Sequence, residues 1–146
     1  MIHVSCVYEN TASYIYDMTA RLKQRGIKDV DMERFNGLLY LTSVLYLEFF
    51  KDKEDYPKQI APIVFQAKKD GPINKDIYKY IKVTPYKKKD VVERIDRWIE
   101  TVIDAFETLT NEDVYIRCQE DKYYMEAIRS EKPYIQFGNE LYLTSA

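Results

Sequence analysis

Histidine occurs once, cysteine twice and glycine four times in these 146 residues. A single His3 excludes His-rich metal sites and leaves most imidazole acid–base chemistry without its usual residue. Cys6 and Cys118 stand far apart and outside any paired spacing. That excludes a zinc finger and a disulfide framework and fits a reduced, cytoplasmic setting. Four Gly and five Pro leave little chain for long flexible linkers. Long hydrophobic runs are also missing: the longest charge-free apolar segment, Phe35 to Leu47, covers thirteen residues, and a membrane span needs about twenty. The opening MIHVSCVYEN has neither a basic region nor a sustained apolar core, which argues against a secretory signal. Net charge is only −2, so a generic nucleic-acid binder is not indicated and only a local basic patch would reach phosphates.

What is present suits a globular protein: 46% apolar and 32% charged residues, in a length that makes one domain. That domain is read as residues 1–146, with 1–9 and 131–146 as peripheral strands. Tyrosine is abundant at fourteen, beside fifteen Lys and fourteen Ile against seven Ala and seven Arg. AT-rich coding produces that balance; an interaction surface is the other reading, because Tyr supplies contact area at low entropic cost.

The elements follow from caps and periodicity. Asn10 and Thr11 offer N-cap oxygens to a helix running to about Arg25, where Gly26 stops it. Asp29 or Asp31 caps a second helix, Met32 to Phe50, which from Leu38 onward carries only Glu48 as a charge. A helix that apolar belongs in the middle of a core. Gln59 to Ala67 reads as buried and extended, Lys69-Asp70-Gly71-Pro72 as a turn, and Asn74 as the cap of a short helix with Ile77, Tyr78 and Ile81. Asp90 or Lys89 opens a strongly periodic helix whose apolar positions are Val92, Ile95, Ile99, Val102, Phe106 and Leu109. Asn111 caps another helix, and Asp121 or Lys122 begins the last. YIQF, Gly138-Asn139 and ELYLT together read as a β-hairpin. The expected fold is mainly α, with five or six helices around a buried central helix and a small antiparallel β element from the C-terminal hairpin. An all-α fold is the alternative.

Charge is unevenly placed: residues 51–89 carry +6 and residues 90–126 carry −7. Within the long helix Glu100, Asp104 and Glu107 have no base in reach along the helix, so their field is expected to be uncancelled and open to a basic partner. Tyr123 and Tyr124 on the following helix would add contact area. Lys87, Lys88 and Lys89 beside Tyr86 are candidate phosphate contacts, more simply read as a solvated loop. Lys68, Lys69, Lys75, Lys79 and Lys82 extend that basic stretch. No catalytic, metal or cofactor site is legible: no Glu-x-x-His pair, no nucleophile elbow and no glycine-rich phosphate cradle occurs.

One combination is more specific. Arg34-Phe35-Asn36-Gly37-Leu38-Leu39-Tyr40-Leu41 in a buried helix is followed by Ala67 through Gly71-Pro72-Ile73 and then Asp76-Ile77-Tyr78. This order resembles the SocA-like (Panacea) antitoxin domain, also described as a phage-associated GepA-like protein, over about residues 10 to 130. Gly37 stands where that family usually has a basic residue, and Tyr123-Tyr124 where many members have Pro-Trp. The shared positions Leu38, Leu39, Tyr40, Gly71, Pro72 and Tyr78 are structural. The leucines fill a core at roughly 1.5 to 3 kcal/mol each, and Pro72 restricts its own φ and the residue before it.

The resemblance implies a non-enzymatic protein that neutralises a toxin, or another target protein, by direct contact. Alternatives are a phage inhibitor of a host defence nuclease (anti-CRISPR-like) and a nucleic-acid-binding regulator using the lysine-rich middle. The partner surface is expected at Glu100, Asp104, Glu107, Tyr123 and Tyr124. Reversing the three acids to Lys is expected to leave the fold intact.

Overall fold

Asn10 begins the first helix: its side chain accepts from the Ser13 amide at 2.8 Å and holds α1, Thr11–Gln24. Gly26 ends it at φ +82°, a conformation that costs glycine little, while Gly26 and Ile27 donate back to the carbonyls of Lys23 and Leu22. Asp31 caps α2, Met32–Phe50, by accepting from the amides of Glu33 and Arg34. The computed structural model describes residues 5–27, 31–81 and 90–137; His3, Asp29, Lys82, Lys87, Lys88, Lys89 and the Gly138-Asn139 turn lie outside them.

The central helix is as expected. Phe35, Leu38, Leu39, Tyr40 and Tyr46 of α2 are fully buried, and the helix packs against α5, α4 and the β-hairpin. Leu38 and Leu39 fill the core, and Tyr40 meets Phe65 edge-on with ring centroids 5.1 Å apart. From Pro57 the chain runs extended through buried Ile60, Ile63 and Phe65, pairing at Gln59 with Cys6 in a single parallel bridge.

Among the described residues the small antiparallel β element lies in the middle of the chain. It is formed by β1, Gln66–Lys68, and β2, Gly71–Ile73, in the register Gln66↔Ile73, Ala67↔Pro72 and Lys68↔Gly71. Lys69 and Asp70 form its two-residue turn, and Gly71 takes φ +147° beside it, where a side chain would be strained. The turn residues Lys69 and Asp70 keep negative φ, and the positive φ falls on Gly71 at the start of β2. Of the expected C-terminal hairpin, the Gly138-Asn139 turn and the second strand lie outside the described residues; in its first strand Tyr134 bridges to Gln66 and Ile135 donates to the Phe65 carbonyl.

Four helices complete the described residues: α3 Ile77–Ile81, α4 Glu93–Glu107, α5 Asn111–Gln119 and α6 Lys122–Arg129. Two of their starts differ from those the sequence suggests. α4 begins three residues after Asp90, with Val92 at its N-cap and no side-chain cap; Val92 itself is exposed, and Ile103 joins Ile95, Ile99 and Phe106 in the core. α5 is capped by Thr110 rather than Asn111, in a capping box in which the Asp113 side chain accepts from the Thr110 amide. Tyr78 of α3 is exposed, unlike its neighbour Ile77; the five-residue helix turns it away from the core.

Trp98 of α4 meets Tyr46 and Phe50 of α2 edge-on. Arg34, at the start of α2, donates to the Phe106 carbonyl at 3.2 Å and stands over the Phe106 ring. α4 therefore runs antiparallel to α2. α5 crosses α2 at Gly37, and a Cβ placed there would come within 2.3 Å of Val114 Cγ1. Gly37 stands at this crossing because the two helices touch through it. Gly37→Ala is expected to lower stability by about 1 to 3 kcal/mol through overpacking. Val114→Ala in the same chain should make the pair less destabilised than the sum of the single changes, read as urea midpoints in a double-mutant cycle.

Candidate functional site

Asp17, Arg21 and Arg25 recur at steps of four along α1, so they share one face. Asp96, Glu100, Asp104 and Glu107 form the facing ridge of α4. The Arg21 side chain is completely buried and is satisfied by three carboxylates: Asp17 at 2.9 Å, Asp96 at 2.8 Å and Glu100. Arg25 takes the next turn, donating to Glu100 Oε1 at 2.7 Å, Asp104 at 2.6 Å, Glu107 at 3.3 Å and the Glu100 carbonyl oxygen at 3.0 Å. The Tyr8 hydroxyl donates to Asp17, which ties the N-terminal segment to the same network.

These contacts correct the expectation of an uncancelled acidic stripe. Glu100, Asp104 and Glu107 lack bases along their own helix, yet each is paired with a guanidinium 75 to 82 residues earlier in the chain. Counting neighbours at i,i+4 cannot find partners on another element. The signal that could have found them is the pattern Asp17, Arg21, Arg25 on the buried side of an amphipathic helix. Five carboxylates still face only two guanidiniums, so the seam keeps an acidic excess, most exposed at Asp104.

Electrostatics follow this geometry. Burial works against the charge on Arg21 and Arg25, but the carboxylates around them prevail and both guanidinium pKa values rise. Burial pushes the Glu100 carboxyl up, while hydrogen bonds from Arg25 and Arg21 pull it down further, leaving it below its ordinary 4.5. The Tyr8 hydroxyl is pushed well up by burial and by the Asp17 charge.

Tyr123 and Tyr124 do not flank these acids. Tyr124 is buried, and its hydroxyl donates to the carbonyl oxygens of Lys68 and, at 3.2 Å, Lys69. Tyr123 lies edge-on to Phe137 with centroids 5.5 Å apart. Both brace the hairpin and the C-terminal segment, because α6 packs on β1 and α5. Asp121 caps α6, accepting from the amides of Tyr123 and Tyr124 and from the Tyr40 hydroxyl. The proposed tyrosine pair is thus separated in role from the acids it was expected to accompany.

Two of the concave features among the described residues bear on binding. A cavity of about 360 Å³ lies where α2, α5 and the hairpin meet, floored by Gly37, Pro72, Val114 and Cys118, with Tyr78 and Tyr115 on its wall. Burial pushes the Cys118 thiol up to about 12, so it behaves as a small apolar group. Charges around this cavity are mixed: Asp31, Glu33 and Asp70 against Arg34, Lys68 and Lys75. The second feature is a furrow of about 660 Å³ between α2 and α4. Leu41, Leu45 and Phe49 form one wall, Trp98, Val102 and Ala105 the other, and Phe49 is 59% exposed. Sequence reasoning placed α2 in the middle of the core, covered on several sides, and missed this surface. The signal was Leu45 and Phe49, four apart, on a helix too apolar for periodicity to reveal its outer face.

No family model matches the chain, and neither a curated protein nor a solved structure matches it. Among the described residues no group of His, Cys, Asp and Glu is arranged to hold a metal ion, and no helix is long and apolar enough to cross a membrane.

Two outcomes test the α1–α4 network. Glu100→Lys sets a like charge against buried Arg21 and is expected to cost about 3 to 5 kcal/mol, whereas Asp104→Lys, at the exposed edge, should cost about 1 kcal/mol or less in the same urea titration. This replaces the expectation that the triple reversal leaves the fold intact. The second outcome is a pH dependence. The folded-state pKa of Glu100 is depressed, so its stabilisation is complete above its ordinary value and is lost as pH falls through the folded one. The wild-type urea midpoint should therefore fall more steeply below about pH 4.5 than that of Glu100→Gln.

Proposed function

We propose that this protein is a non-enzymatic, cytoplasmic protein-binding inhibitor, antitoxin-like, that neutralises a toxin or other target protein by direct contact. The observation that carries the reading is the furrow between α2 and α4. Phe49 and Leu45 are exposed there beside Trp98 and Val102, a concave apolar surface of the kind that partner proteins cover. The resemblance of the helix order to SocA-like antitoxins points the same way, and so does the acidic excess of the α1–α4 seam, which would steer a basic partner at long range. In this reading Asp104 and Glu107 contribute to approach rather than to the buried contact, since both are already bonded to Arg25. A nuclease of a defence system is a target of the same chemistry.

A second reading, binding of nucleic acid, is favoured by one feature. Lys68 and Lys75 stand around the same cavity as the exposed ring of Tyr78, a combination of cation and stacking surface. Asp31, Glu33 and Asp70 share that cavity and oppose a phosphate backbone there.

The test is co-expression with the toxin-like product of a neighbouring gene. Rescue of growth together with co-purification of the two proteins is the expected result. Absence of both, with the protein folded and abundant, overturns the antitoxin reading. Binding to single-stranded DNA or RNA that weakens steeply with salt would replace it with the second reading.

A further inference from the structure

The two walls of the α2–α4 furrow are matched in length and chemistry. Leu41, Leu45 and Phe49 follow one another at steps of 4 and 4 along α2, with fully buried Leu38 at the base, and Trp98, Val102 and Ala105 at steps of 4 and 3 along α4, with Leu109 just beyond its end. The two rows rise about 10 to 12 Å, roughly two helical turns. No charged residue lies on either wall. The charged groups that line the furrow are Arg117, Glu120 and Asp121, all from the α5–α6 junction, and they sum to −1. Asp121 is held in place as the cap of α6 and as acceptor of the Tyr40 hydroxyl, so the negative charge is fixed relative to the furrow.

We infer that the furrow receives one amphipathic helix of a partner protein, seating about two turns of an apolar stripe between α2 and α4 and placing a basic side chain against Glu120 and Asp121. This rests on the protein-binding reading and specifies its contact. Straight apolar rows on two antiparallel helices fit a third helix, whose anchors recur at i, i+3 or i+4 and i+7. A second copy of this chain is the competing occupant, and sedimentation distinguishes it.

Trp98 is the only tryptophan of the chain and lines the furrow, so its fluorescence reports occupancy without a label. The probe is a synthetic fourteen-residue helix of Leu, Ala and Lys with its leucines at i, i+3, i+7 and i+11. Controls are the same peptide with Glu for Lys and a version with the leucines scrambled. The Lys peptide is expected to shift Trp98 emission saturably and the scrambled peptide not to. Phe49→Glu, or Ala105→Glu on the opposite wall should the first variant fail to fold, should weaken binding at least tenfold. Glu120→Lys should reverse the preference toward the Glu peptide. Equal binding of the Lys peptide to wild type and both wall variants, no binding at all, or dimerisation in sedimentation that Phe49→Glu abolishes would overturn the inference. If the neighbouring gene product still co-purifies when the peptide does not bind, protein binding stands and only the helix assignment falls.

Discussion

A guanidinium with no exposed surface sits between two helices, and the arrangement of both depends on it. Arg21 reaches Asp17 within α1 and Asp96 and Glu100 across on α4. Taking a guanidinium and its carboxylates out of water costs several kcal/mol per ion, and their attraction roughly offsets that cost. The network therefore adds little net stability. What it adds is specificity of pairing: a packing that kept Arg21 buried without the acids of α4 would leave its guanidinium with Asp17 alone. The acids read as an open surface in sequence are the means by which the first and fourth helices find each other.

With that seam closed, the rest of the core assembles around α2. Gly37 permits close crossing by α5, and Tyr40 ties α2 to the cap of α6 through Asp121. Tyr124 then fastens α6 to the hairpin at Lys68. Much of the tyrosine excess has a structural use here. Tyr8, Tyr14, Tyr40 and Tyr46 are fully buried, and each hydroxyl reaches a carboxylate or a carbonyl, which is how a buried phenol avoids the cost of an unsatisfied group. The side of α2 left over faces solvent beside α4, and it is there that the molecule has apolar surface to offer.

Local signals were legible and long-range ones were not. Asn10, Gly26, Asp31 and Asp121 announce helix ends because a cap acts within four residues. The mainly helical class and the central place of α2 followed from the same kind of reading. The Lys69-Asp70 hairpin was legible only as a turn, because Gly71-Pro72 marks the reversal without marking the strands on either side, and the Gly138-Asn139 turn lies outside the described residues. The acidic stripe was legible as a row, but its partners were not, since Arg21 and Arg25 lie on an element whose packing no spacing rule predicts. The furrow escaped for a related reason: an almost uniformly apolar helix does not say which of its sides stays uncovered.

The spacing of the Arg21 network along the chain sets an order of events during synthesis. Glu100 follows Arg21 by 79 residues, which at ribosomal speeds is an interval of about 4 to 16 s. Throughout that interval α1 has its own Asp17 for Arg21 but none of the acids of α4. The first helix made is therefore among the last to be locked. A nascent chain halted before the fourth helix emerges would present a cationic, half-apolar helix to its surroundings, a ready substrate for chaperones until its acidic counterpart arrives.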